Sequence, residues 1–249
     1  MVSVSVHQPN FMPWLKLLTK VLASDVFVAY DSVQFTRREF HARQLFRSVS
    51  GAPEWLSVPV ESTGSRQILQ DTRIAESFDW RSAHLRFLEK HYAATPFFAE
   101  VFPLIEEVYA RRNTRLVEHN LDLLQAFCDY LSADVRIVRA SDLPHSGARE
   151  DRLRDLVQNV GGDVHLTSTS TTHQIDWSLL DRAGIPVFEQ VFEHPVYPQP
   201  PGPFLPNLAA PDLFFACGTG AGEILRDCNR FELLGPGLHD EAAAAGRWD

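Results

Sequence analysis

Near the start of the chain, His7-Gln8-Pro9-Asn10 separates an alternating apolar run from a helical one. An open α/β sheet places its ligand at such a point, past the carboxyl end of the first strand and at the entrance of a helix. A helix entrance offers unpaired N–H groups and about half a positive charge, which suits a phosphate or a carboxylate. His7 can add a donor there or exchange a proton near neutral pH. The same letters also allow a plainer arrangement, in which Asn10 caps the helix and His7 bonds a backbone carbonyl.

A second group is Tyr30-Asp31-Ser32-Val33-Gln34, followed by Arg37-Arg38-Glu39-Phe40-His41-Ala42-Arg43. If the strand before it lies beside the first strand, Asp31 and Gln34 emerge at the same sheet edge as His7. Arg38 and Arg43 then supply planar forks for a phosphate or carboxylate, or they are solvated charges on a loop. His165 precedes the hydroxyl-rich run Thr167 to Thr172, which can bond phosphate oxygens or form a polar turn. His194-Pro195-Val196-Tyr197 makes a stiff loop in which Tyr197 can wall a pocket. His84 follows Trp80 on one helical face and His91 lies seven residues on, but no HExxH pattern or paired cysteine accompanies them, so no metal is expected. There is no GxSxG elbow and no Walker A sequence. Gly218-Thr-Gly220-Ala-Gly222 lacks a following βαβ unit and is weak support for a cofactor.

The elements that must position these residues alternate. The pattern predicts a strand at Val2 to Val6, a helix from about Pro13 to Ala23, and a buried strand at Val26 to Tyr30. Between Asp31 and about Asp79 the chain is polar and broken by Gly and Pro, with one strand at Trp55 to Val60. Two or three helices follow within about 80–131, separated by Pro96. Strand and helix then alternate again: strands near Val135 to Val138, Val164 to Leu166 and Val187 to Val191, with helices at Arg152 to Val160 and Trp177 to Ala183. The seven prolines from His194 to Pro211 exclude a central strand or an internal helix and leave a crossing loop, ordered or disordered, with the aromatic Tyr197 and Phe204 within it favouring the ordered form. A short helix after Pro211 leads to a solvated tail over 236–249.

The 249 residues are 45% apolar and 22% charged, which excludes wholesale disorder and fibrous classes. The net charge of −9 gives no field that would gather the chain onto nucleic acid or anionic lipid. No apolar run approaches the roughly 20 residues of a membrane helix, and the N-terminus lacks the features of a signal peptide, so a cytoplasmic protein is expected. Cys128, Cys217 and Cys228 have no metal or disulfide spacing and read as small buried side chains.

His7-Gln-Pro-Asn-Phe-Met-Pro-Trp14, Asp25-Val-Phe-Val-Ala-Tyr-Asp31-Ser-Val-Gln-Phe35, Trp55-Leu-Ser-Val-Pro-Val60 and Phe192-Glu-His-Pro-Val-Tyr197 together resemble the WbqC-like family, from the first residues to about Gly218. The resemblance implies a biosynthetic role of the kind encoded in O-antigen and specialised-metabolite gene clusters. It also implies that His7, Gln8, Asn10, Asp31, Gln34, Arg38, Arg43 and His84 face one site. The chain departs from the family pattern at Ala42, Leu45, Ser168 and Thr171, and at Ala209, where serine is usual, which points to a different substrate. A fainter, fold-level likeness links the first strand and turn to nucleotidyltransferases of the pantothenate synthetase and cytidylyltransferase type, although Trp14 stands where their second histidine would be.

The expectation is therefore an α/β, Rossmann-like and mostly parallel sheet with flanking helices and a helical insertion, in one domain over 1–235. It would be a group-transfer enzyme acting on small molecules. The enzyme would join an acyl or aminoacyl group to an amine, with ATP or another nucleotide as activator. His7 or Asp31 would take the amine proton, the turn at His7 and Asn10 with Arg38 and Arg43 would hold the anionic donor, and Gln8, Gln34, His84 and Tyr197 would line the substrate. A nucleotidyltransferase and a non-catalytic pathway scaffold are the alternatives.

Overall fold

The computed structural model describes residues 1–62, 66–168, 175–200 and 202–234. Six strands form one sheet, in the spatial order Arg136–Arg139, Val26–Ala29, Ser3–His7, Val164–Ser168, Val187–Phe192 and Asn229–Leu233. They are β1 (Ser3–His7), β2 (Val26–Ala29), β5 (Arg136–Arg139), β6 (Val164–Ser168), β7 (Val187–Phe192) and β8 (Asn229–Leu233). All neighbours run parallel except β8, which is antiparallel to β7. The α/β, Rossmann-like expectation is met. β2 is buried at all four positions, as a strand covered on both faces must be.

Chain direction reverses at β1. From β1 the chain passes through α1 (Leu15–Leu22) to β2, on one side of β1 in the sheet. From β5 it returns through α5 (Arg149–Asn159) to β6, on the other side. Because parallel crossovers are right-handed, opposite directions of travel put α1 and α5 on opposite faces. The core composition agrees: α1 packs in one cluster with Phe27 and Ala29, whereas α5 supplies Leu156 and Val157 to a second cluster with Val4, Val26 and Val28.

The excursion between β2 and β5 holds an antiparallel hairpin, β3 (Arg43–Arg47) with β4 (Pro53–Ser57), and then three helices. These are α2 (Trp80–Tyr92), α3 (Phe98–Ala110) and α4 (Leu116–Tyr130). The expected strand at Trp55 to Val60 is thus displaced toward the N-terminus, and its partner β3 carries no alternation that would have announced it. The remaining helices are α6 (Ser178–Arg182), α7 (Ala210–Cys217) and α8 (Ala221–Asp227), the last preceding the unexpected edge strand β8. No helix among the described residues is long and apolar enough to cross a membrane. The expected tail over 236–249 lies outside the described residues.

The proline-rich crossing is held by one carboxylate. Asp212, in the first turn of α7, is 2% exposed and accepts from Tyr92 Oη at 2.8 Å, Tyr197 Oη at 2.8 Å and Gln199 Nε2 at 3.1 Å. Arg47 reaches the same segment by donating to the carbonyls of Pro203 (2.8 Å) and Pro200 (3.1 Å). Tyr197 is consequently a core residue and not a wall of a substrate pocket. Gly218 closes α7 with φ of +58°, and the ring of Phe97 occupies the space a Cβ would need, so this glycine serves packing. Removing this acceptor leaves the buried hydroxyls of Tyr92 and Tyr197 without it, while Gln199 keeps the carbonyl of Leu205. Asp212→Ala is therefore expected to cost about 3–5 kcal/mol and Tyr197→Phe about 1 kcal/mol, measured by urea denaturation.

Candidate functional site

A cavity of about 810 Å³ opens at the carboxyl ends of β1 and β6. These are the adjacent strands between which the connections diverge, the position where open α/β sheets bind ligands. β1 contributes His7 and, at its exit, Gln8; β6 contributes His165 and Thr167. α1 contributes Lys20, the segment after β2 contributes Gln34, Thr36, Glu39 and His41, and α5 contributes Arg149 and Arg152. Trp177, Ile175, Leu153 and Leu156 supply apolar surface.

Lys20 is the most unusual of these groups. It is 2% exposed, its Nζ donates to Ser168 Oγ at 3.1 Å, and among the described residues no carboxylate lies within ion-pair distance of it. Burial, and then Lys16, pull its pKa down to about 7. An ammonium so placed lacks the counter-charge that buried cations ordinarily have. Arg152 donates through Nε to the carbonyl of Gly147 at 2.9 Å, and Arg149 is exposed at the rim. Glu39, also exposed, is the acid of the lining. The balance of the cavity is cationic in an acidic protein.

The histidines are neutral donors and acceptors. His7 Nδ1 donates to the Gln8 carbonyl at 2.9 Å, which leaves Nε2 as a lone-pair acceptor. His165 Nδ1 likewise donates to the Val4 carbonyl, at 3.1 Å. Burial, followed by the charge of Lys20, holds both near pKa 3. His41 Nδ1 accepts from the Thr36 backbone N–H at 3.3 Å and its Nε2 donates to Gln8 Oε1 at 2.5 Å, with burial lowering its pKa to about 4. His7 thus both bonds a backbone carbonyl and keeps a nitrogen for chemistry, so the two alternatives at this residue coexist.

Of the residues expected to share this site, His7, Gln8 and Gln34 do line it. The others require correction. Asp31 is fully buried, and its carboxylate is engaged by Arg139 Nε at 2.8 Å and by Ser141 N and Oγ, each at 2.9 Å. It ties the end of β2 to the end of β5 and has no place in the cavity lining. Asn10 is buried behind the turn, and α1 is capped at Trp14, so Asn10 neither faces the cavity nor caps the helix. Arg38 is exposed and does not line the cavity; its carbonyl accepts from Arg43 Nη2. The Arg43 guanidinium lies over the Trp55 ring, 4.3 Å from its centroid, on the β3–β4 hairpin. His84 is spent internally, with Nε2 donating to the Ser57 carbonyl and Nδ1 accepting from Tyr109 Oη, both at 3.0 Å.

The cations come instead from Lys20, Arg149 and Arg152, none of which the sequence analysis had singled out. A signal existed in α1: Lys20 interrupts an apolar run, four residues after Lys16 and beside Thr19, on a helix that the two flanking strands must cover. Of the hydroxyl-rich run, Thr167 lines the cavity and Ser168 accepts from Lys20, while Thr171 lies outside the described residues. Ala42 is core and Leu45 sits half-buried in β3, so neither departure touches the lining.

His7, His41, His84, His119 and His165 all have pKa values depressed to about 3 or 4, chiefly by burial. Each titrates near 6.5 once unfolded, so below that pH the unfolded chain binds protons that the folded chain refuses. Stability contributed by these groups is complete above pH 6.5 and falls with pH until about 4 for His41 and His84 and about 3 for His7, His119 and His165, by up to about 1.4 kcal/mol per pH unit for each histidine. Unfolding at pH 5.5 should take up between about four and five protons on this account, measured by calorimetry in buffers of different ionisation enthalpy. An uptake near zero would contradict the burial of these rings.

No solved structure matches the chain. A curated relative, an uncharacterized protein of Mycobacterium tuberculosis, is 30% identical over 233 residues, covering 92% of this chain and the whole of that protein. The model of the WbqC-like protein family matches residues 8–224, a span that takes in the turn after β1, α1, the hairpin, the three inserted helices and the strands that close the cavity. The chain belongs to the WbqC-like protein family.

Proposed function

We propose that the protein is a biosynthetic group-transfer enzyme that joins an activated acyl or aminoacyl group to the amine of a small molecule, such as an amino sugar. Family membership supports the biosynthetic role. The observation that carries the reading is the switch-point cavity holding a buried ammonium without a carboxylate, beside an imidazole with a free acceptor nitrogen. Lys20, with Arg149 and Arg152 at the rim, suits an anionic donor, namely an acyl group carried on phosphate or on a nucleotide made from ATP. A reaction consuming ATP belongs in the cytoplasm.

In this mechanism the amine nitrogen attacks the acyl carbon and the carbonyl electron pair moves to oxygen. The pair returns as the C–O bond to the phosphate breaks, and the phosphate-type group leaves with the bonding electrons. His7 Nε2 takes the proton that the nitrogen loses. Asp31 is no longer a candidate for that role, because its oxygens are engaged by Arg139 and Ser141. Burial, and then the charge of Lys20, make His7 a weak base, and an anion beside Lys20 offsets the second of these.

The reading is tested by incubating the protein with ATP, a panel of amino and carboxylic acids and amine acceptors. AMP or ADP and a new amide are expected by mass spectrometry, and His7→Gln should remove the amide. Pyrophosphate release onto a phosphorylated acceptor would replace this reading with nucleotidyl transfer. No turnover, with pathway product unaffected by His7→Gln in cells, would replace it with a scaffold.

Lys20 separates function from stability. Its depressed pKa means that the unfolded chain binds the extra proton between pH 7 and 10.5, so charge burial costs roughly 4 kcal/mol at pH 7 and less as pH rises. Lys20→Met is expected to lower kcat/KM by about 10²-fold or more while leaving the melting temperature equal or higher.

A further inference from the structure

Gln8 and His41 fix the sign of one wall of the cavity. An amide side chain can present either its oxygen or its nitrogen, and the choice follows from its partners. Here the chain of bonds leaves one arrangement. The Thr36 backbone N–H can only donate, and it donates to His41 Nδ1. The neutral ring must then carry its proton on Nε2, and that proton goes to Gln8 Oε1. With its oxygen held, Gln8 turns its Nε2 the other way. Among the described residues no group bonds that nitrogen, and Gln8 lines the cavity next to His7.

His41 is itself held. Asn120 of α4 donates from one Nδ2 to the carbonyls of His41 at 2.8 Å and Pro9 at 3.1 Å, and the His41 ring packs on Phe35. The imidazole is 1% exposed, and its burial keeps it neutral at the pH of the cell. A charged or rotated ring would lose the bond from Thr36.

We infer that the Gln8 side-chain amide donates to the anionic oxygens of the activated donor, and that His41 is the positioning residue that keeps this amide turned nitrogen-first. The inference deepens the proposed function and rests on its anion site. It also assigns the chemistry of the wall: with the opposite flip Gln8 would present a carbonyl oxygen, which repels phosphate and carboxylate. Selectivity for an anionic donor then depends on a residue whose two ring nitrogens are both engaged within the protein.

The test uses pyrophosphate as probe, titrated calorimetrically into the full-length protein. Gln8→Met, similar in shape but without donors, is expected to weaken binding about tenfold. His41→Leu should do the same, whereas His41→Gln, whose amide nitrogen stands where Nε2 stood, should bind within about threefold of the unaltered protein. The double variant His41→Leu/Gln8→Met should bind no more weakly than Gln8→Met alone. The Gln8 amide proton resonances, assigned by their loss in Gln8→Met, should shift on adding pyrophosphate. If His41→Leu does not fold, Gln8→Met, His41→Gln and the resonance shift decide the matter. Unchanged affinity in Gln8→Met, or His41→Gln no better than His41→Leu, overturns this inference while leaving the anion site intact. Failure of the unaltered protein to bind pyrophosphate overturns the anion site, and this inference with it.

Discussion

Parallel strands can be joined only by crossovers, the crossovers share one hand, and β1 stands where they part. Toward β2 the chain leaves through α1 on one face; toward β6 it arrives from α5 on the other. No connection bridges the ends of β1 and β6, so a crevice remains there that side chains alone must fill. The cavity follows from this constraint before any residue is named. Its lining comes from the exit of β1, the end of β6, the buried side of α1, the first turns of α5 and the segment that follows β2.

The treatment of buried charge shows which polar groups serve the fold. Asp31 is matched by Arg139 and Ser141, and Asp212 by two tyrosines and a glutamine. Each acid joins segments distant in sequence, and each is satisfied by the protein itself. Lys20 is as buried as these acids and, among the described residues, has a hydroxyl partner in place of a counter-ion. A fold under selection for stability alone would replace it with an apolar residue of similar volume. Its retention in the lining is the kind of local inconsistency that marks a functional position.

The sheet was legible because its signals are local. Val2 to Val6 alternates and Val26 to Tyr30 is an unbroken apolar run, and the observed strands fall within a residue of them. The location of the cavity was legible too, since it needs only the first strand, its turn and the hand of the crossover. What resisted reading was direction. Asp31 and the arginines follow the strand that pairs beside β1, but the end of β2 is captured by β5, whose own sequence Arg136-Ile-Val-Arg139 gives no hint that Arg139 is the partner. Arg43 is drawn onto Trp55 by a hairpin whose first strand is nearly silent in the sequence. Lys20 was passed over because a lysine on a short helix normally reaches water, and only the pairing of β6 beside β1 closes that route.

The helical insertion gives no side chain to the main cavity, yet the cavity's geometry depends on it. Asn120, buried on α4, clamps the carbonyls of Pro9 and His41, drawing the turn after β1 and the loop after β2 onto one amide. His84 on α2 does the same for the hairpin by holding the Ser57 carbonyl, and it is steadied by Tyr109 on α3. Hydrogen-bonded amide and imidazole groups of this kind fix direction as well as distance, which apolar packing does not. The insertion is thus the frame against which the Gln8 and His41 side chains are set, and a change in its packing would reach the site through backbone carbonyls before it reached any residue of the lining.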